Sequence, residues 1–150
     1  MQLSKNFSLA ELIRSDYAIR QGIDNTPSSQ VIQNLKFLSN EILQPIRDNF
    51  GTVIVNSGYR SPQLNVLIGG SKTSDHVIGL AADIEVLNVS NYTLAKWCSE
   101  NLKFKQLILE FYTPGNPFSG WVHISAGVKQ QVLTAVKEKG KTIYKIGLVA

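Results

Sequence analysis

Ser74-Asp-His-Val-Ile-Gly-Leu-Ala-Ala-Asp-Ile84 begins as a turn, ends as a strand, and carries one of only two histidines among 150 residues. Side chains alternate across a strand. Over Ala81 to Val86 this puts Ala82, Ile84 and Val86 on one face, and Ala81, Asp83 and Glu85 on the other. The second histidine sits in Trp121-Val-His-Ile-Ser125, inside a strand expected from Gly120 to Ala126. There Val122, Ile124 and Ala126 oppose Trp121, His123 and Ser125. A further strand expected from Gln106 to Tyr112 sets Leu107, Leu109 and Phe111 against Gln106, Ile108 and Glu110. Each strand thus has an apolar face for a core, and Asp83, His123 and Glu110 all fall on the opposite side.

Two neutral imidazoles and one carboxylate are the ligand set of a catalytic zinc that keeps a fourth position for water. His76, Asp83 and His123 are accordingly the expected metal ligands, with Zn2+ as cofactor, and the chain reads as a hydrolase. The short connection from Tyr112 to Gly120 suits an antiparallel hairpin. A loop over Thr113 to Ser119 would set Glu110 almost directly across from His123, where Cβ atoms stand roughly 4.5–5.5 Å apart. That spacing suits a general base beside an attacking water.

Further elements follow on the N-terminal side. Phe7-Ser-Leu-Ala-Glu11 is a capping box with Ser8 at the N-cap, and Phe7 can staple to Leu12; the helix should reach about Arg14. Thr26 and Pro27 are expected to start a second helix, in which Val31, Leu35, Leu38, Ile42 and Ile46 recur at helical spacing as far as about Asn49. Pro45 should kink or break it. Thr52 to Asn56 reads as a strand, and Ser57 to Ser74 as mostly loop with a turn or two of helix from Gln63 to Leu67. Ser90 caps a helix to about Asn101. After Ala126, either a hairpin of Gln130 to Val136 with Thr142 to Ile146, or a helix over Val128 to Lys139, fits. Neither repeats nor a linker interrupt residues 1–150, so the expectation is one α+β domain.

Composition narrows the classes. The chain is long enough for a real core, and no run approaches a membrane span. No charged-then-apolar leader is visible at the N-terminus. Cys98 is single, which excludes an internal disulfide and suits a reducing compartment. A net charge of +4 would favour polyanions, yet no nucleic-acid-binding motif accompanies it. We therefore expect no membrane or nucleic-acid partner, and a monomer.

The set Ser57-Gly-Tyr-Arg-Ser61, Asn65, Gly69-Gly70, Ser74 to Ile84 and Trp121 to Ser125 resembles the zinc D-Ala-D-Ala carboxypeptidases and phage endolysin peptidases. These are peptidoglycan metallopeptidases related to lysostaphin-type and hedgehog-fold proteins. Phe7 to Leu12 and Asn25 to Pro27 resemble the small phage-type members. The likeness spans roughly Phe7 to Ser125 and implies N-terminal helices packed on a small antiparallel sheet. It implies hydrolysis of peptidoglycan stem peptides, at a terminal D-Ala-D-Ala bond or an internal bond such as L-Ala-D-Glu. Arg60 would stabilise the oxyanion or hold a substrate carboxylate, Ser74 would bind the peptide, and Glu110 would act as base. Many relatives carry that acid three residues before the last histidine, where this chain has Gly120; Glu85 is the alternative base. A phage or prophage lysis protein, made in the cytoplasm and acting at the cell wall, is the expected setting. A catalytically silent wall-binding or virion domain on the same fold is the alternative.

Overall fold

The computed structural model describes residues 1–150 and is an α+β fold. The N-terminal half is helical. Helix α1 (Leu9–Ile13) starts at Ser8, whose Oγ accepts from the Glu11 N–H at 3.2 Å, as the capping box requires. Helix α2 (Asp16–Gln21), not foreseen in the sequence, is capped by Ser15 and ended by Gly22 at φ 66°. It buries only Ala18, so it lacks the apolar repeat that betrays a helix.

Helix α3 (Ser29–Leu38) begins two residues later than expected. Ser28, not Thr26, is its N-cap, while the Thr26 N–H is held by the Asp24 carboxylate at 2.9 Å. Pro45 does not break the helical run. One π-helical turn (Ser39–Leu43) leads into α4 (Gln44–Phe50), and Pro45 sits in the first turn of α4. A proline there costs little, because a π turn re-phases the backbone so that its missing N–H interrupts nothing.

Strand β1 (Val53–Ser57), helix α5 (Pro62–Leu67), a 3-10 turn (Asp75–Ile78), β2 (Ala81–Val86) and α6 (Asn91–Asn101) follow. The chain ends with β3 (Gln106–Glu110), β4 (Trp121–Ser125), β5 (Gln131–Glu138) and β6 (Lys141–Ile146). Of the two readings offered for the C-terminus, the hairpin is the one formed. The six strands run β1-β2-β4-β3-β5-β6. The sheet is mixed rather than antiparallel: β5 lies parallel to β3, with Gln106 beside Gln131 and Glu110 beside Ala135. The crossover from β3 to β5 passes through β4, which makes that parallel pairing possible.

One face of the sheet carries Val53, Ala82, Ile84, Val86, Leu107, Leu109, Val122 and Ile124, and packs on Leu12, Leu35, Leu38, Ile42, Leu94 and Cys98 in one core. Burying each such aliphatic chain contributes about 1.5–3 kcal/mol. Burial pushes the Cys98 thiol up to about 12, so it behaves as an inert apolar residue. Helices α1, α3, α4 and α6 pack on this face, while the 3-10 turn and the loop after α5 border the other face, where the site lies.

Candidate metal centre

Register fixes which side chains meet on the open face. Asp83 of β2 pairs with His123 of β4, and His123 pairs with Ile108 of β3. The expected facing of Glu110 and His123 is corrected by this register: Glu110 pairs with Trp121 and is a diagonal neighbour of His123. The hairpin closes sooner than expected because Phe111 at φ 57° and Gly120 at φ 67° turn the backbone out of the ladder. The Trp121 indole N–H donates to the Glu110 carboxylate at 2.5 Å.

His76 reaches the same face from the 3-10 turn. Ser74 caps that turn, its Oγ accepting the His76 N–H at 3.2 Å. The turn is moored to the strands by Lys105, whose Nζ lies 3.0 Å from the Asp75 carboxylate. His76 is buried, and its Nδ1 lies 2.7 Å from the Gly58 carbonyl oxygen. A carbonyl only accepts, so Nδ1 carries the proton and Nε2 presents a lone pair.

That lone pair faces His123 Nδ1 at 3.3 Å and Asp83 Oδ1 at 3.4 Å, and the latter two atoms are 3.0 Å apart. Bonds of about 2.0–2.1 Å at tetrahedral angles place ligand atoms roughly 3.3 Å from one another. The triangle therefore has the edge lengths of a zinc-sized site with one vertex free. Three acceptor atoms converge here, and a single shared proton can satisfy only one edge, so a cation fits the donor set. Burial alone would raise the Asp83 carboxyl, but the His123 and His76 imidazoles beside it outweigh that and hold the group well below the usual carboxylate range.

Asp83 is also held from its other oxygen. Arg60 Nη2 donates to Oδ2 at 3.2 Å, while its Nε donates to Ser57 Oγ at 3.1 Å and its Nη1 reaches Asn65 Oδ1 at 3.4 Å. A guanidinium on the outer oxygen leaves Oδ1 turned toward the imidazoles, which is how an outer partner orients a ligand. Asn65 further donates to the Ser71 carbonyl at 2.8 Å and so ties down the Gly69-Gly70 loop.

A cavity of about 760 Å³ opens over this cluster. Arg60, Ser74, His76, Asp83, Glu110 and His123 all line it. Burial and the Asp83 charge raise the Glu110 carboxyl, against the opposing pull of His123, the Trp121 hydrogen bond and Arg60. Glu85 is not in the cavity; its oxygens accept from Asn56 at 2.9 Å and Asn91 at 3.4 Å. Gly120 explains why an acid is missing three residues before His123. A Cβ there would stand 1.9 Å from the Glu110 carbonyl oxygen, and its φ is left-handed.

Sequence reasoning did not attach a role to the C-terminal hairpin, yet Lys129, Gln131, Lys137, Thr142 and Tyr144 also line the cavity. The signal was the alternation of Gln131, Leu133, Ala135 and Lys137, which continues the open face of β3.

A pocketed trio of two imidazoles and a carboxylate, with a proton-tuned glutamate on the neighbouring strand, defines the class as a candidate metal-dependent hydrolase. A family profile described as Peptidase M15 matches residues 5–125, and the chain belongs to this zinc D-Ala-D-Ala carboxypeptidase-like family. No curated protein matches the chain. The chain is thus a member of a peptidase family with a His-Asp-His group able to bind a metal.

Proposed function

We propose that the protein is a zinc metallopeptidase that hydrolyses the stem peptides of bacterial peptidoglycan. The observation that carries this reading is the triangle of 3.0–3.4 Å between His76 Nε2, Asp83 Oδ1 and His123 Nδ1, in one cavity with Glu110. A divalent ion held there would polarise the scissile carbonyl and lower the pKa of a water beside it.

The protein's own residues supply the rest. Glu110 takes the proton of the attacking water and passes it to the leaving amine nitrogen, a cycle that leaves the carboxylate restored. Its raised pKa favours the return step, because a carboxylic acid that is a weaker acid holds the proton until the amine needs it. Trp121 fixes the carboxylate by its indole donor. Arg60 steadies Asp83 and lines the cavity, where its guanidinium suits a carbonyl oxygen or a substrate carboxylate. Ser74 spends a lone pair on the His76 amide and keeps its O–H to donate to a bound peptide.

Digestion of purified peptidoglycan by wild-type protein and Glu110→Ala, with and without chelator, tests the reading by mass spectrometry of the fragments. Cleavage that vanishes with chelator and in the variant supports it, and the fragment masses name the bond. A metal-loaded protein that binds walls without releasing fragments overturns it in favour of a silent binding domain on a phage particle or at the cell wall, to which the acid-free Gly120 position lends its weight.

A further inference from the structure

The family match ends at residue 125, but the sheet and its cavity do not. Beyond it, β5 and β6 continue the open face. The parallel register carries the cavity side of β3 onto Gln131, Leu133, Ala135 and Lys137, and β6 adds Thr142 and Tyr144. The join is tight on that side: Gln106 Nε2 donates to Gln131 Oε1 at 2.9 Å.

The charges along this wall are unequal. Asp75 is paired with Lys105 and Asp83 with Arg60, while Glu110 accepts a hydrogen bond from the neutral Trp121 indole. Lys129 and Lys137 have no carboxylate partner in any ion pair of the chain. Lys137 is nonetheless held in place. Its Nζ donates to Thr142 Oγ1 at 3.0 Å and stands 5.5 Å from the centre of the Phe111 ring. On the back of the same hairpin the acid Glu138 does find a partner, Lys145 at 3.6 Å. Lys139 and Lys141, at the hairpin tip, are also unpaired but lie outside the cavity lining, so Lys129 and Lys137 are the unpaired hairpin-side cations that face the cavity.

Distance sets the length of what could lie there. From β4, which carries His123, to β6 is a span of three strand spacings, roughly 14 Å at about 4.8 Å each. An extended peptide advances about 3.3 Å per residue, so roughly four residues cover that span. A terminal dipeptide would leave the hairpin side of the cavity unused.

Resting on the peptidase reading, we propose that the β5–β6 hairpin forms an extended subsite for a carboxylate-bearing peptide segment about four residues long. Lys129 and Lys137 meet its carboxylates, and Tyr144 and Phe111 flank its backbone. This makes the enzyme a cutter of internal bonds in an acidic peptide rather than a remover of the last residue.

The test uses two probes, a four-residue stem peptide with free carboxylates and its fully amidated counterpart. Each is titrated calorimetrically into zinc-loaded Glu110→Gln, so that neither is consumed. The acid form should bind roughly five- to ten-fold tighter at low salt, as two modest ion pairs allow. That ratio should collapse toward one when Lys129→Gln and Lys137→Gln are added, with the melting temperature reporting that the fold is intact. A parent protein that binds both probes alike, or binds neither, overturns the subsite, as does a ratio that survives loss of the lysines. Wall digestion by the wild type is scored separately. An acid preference without digestion leaves the subsite standing and removes the peptidase reading, whereas digestion without the preference does the reverse.

Discussion

The Nδ1 atom of His76 donates to the Gly58 carbonyl at 2.7 Å, and this bond spans two of the motifs that carry the site. Gly58 can bring its carbonyl there because it has no side chain. A Cβ at that position would lie 2.2 Å from the Leu12 carbonyl oxygen. Gly58→Ala must therefore push β1 away from α1 and turn His76 with it. We expect a stability loss of about 1–3 kcal/mol from the overpacking and a metal affinity lower by roughly ten- to a hundred-fold. Denaturant melts and competitive zinc titration measure the two effects, and unchanged affinity would show that the carbonyl does not orient the ring.

Metal binding itself should be stoichiometric and stabilising. One zinc per chain is expected by elemental analysis, and none after His76→Ala or His123→Ala. Free zinc at a thousand times the dissociation constant should stabilise the fold by about 4 kcal/mol. A melting temperature indifferent to zinc in the wild type would contradict a structural coupling between site and fold.

Removal of the Glu110 carboxylate should slow hydrolysis by about a hundred- to ten-thousand-fold, the usual worth of a positioned acid-base group. Zinc content should stay the same in Glu110→Gln, since the residue is outside the ligand triangle. Loss of zinc in that variant would make Glu110 a ligand rather than a base.

The pH dependence has a definite sign. Folding raises the Glu110 pKa, so the metal-free fold gains from this group only below the unfolded-state pKa. That gain is lost as pH rises through the folded value. Glu110→Gln, always neutral, should melt above wild type at pH 7 when both are metal-free, with the gap closing in acid. Trp121→Phe deletes a hydrogen bond that lowers the Glu110 pKa, and should move the acidic limb of kcat/KM to higher pH. A limb that stays put or moves down would mean that another group governs it.

Restoring the acid at its more usual place should fail. Gly120→Glu puts a Cβ on the Glu110 carbonyl in a left-handed backbone, so the variant should lose stability and activity together. A rise in activity, followed by hydrolysis assay, would show that the hairpin end can rearrange.

How much of this was legible beforehand follows from what each residue's position depends on. Asp83, His123 and Glu110 were assignable to one face because strand alternation is local and strict. His76 was legible only through its motif, since a 3-10 turn offers no period to count. The Glu110–Trp121 pairing escaped the sequence because two positive-φ residues, Phe111 and Gly120, reset the register, and only the glycine hints at that. Pro45 misled because a π turn directly ahead of it absorbs the missing N–H, and no pattern of residues announces such a turn. The parallel docking of β5 on β3 depends on a contact across the sheet that neither segment encodes alone. Without it, the basic wall of the cavity could not be anticipated.

That docking also bears on how the protein keeps to itself. In a chain stopped after Ala126, β3 would be the outermost strand, and Leu107, Ile108 and Leu109 would present a bare ladder of N–H and C=O groups to any passing copy. Such an apolar, unpaired rim is a template for aggregation. With the hairpin in place the rim moves to β6, where Lys141 and Lys145 make a second copy unwelcome. Anyone trimming the protein to its family-matched segment should expect insoluble material even though every residue of the candidate metal site is retained.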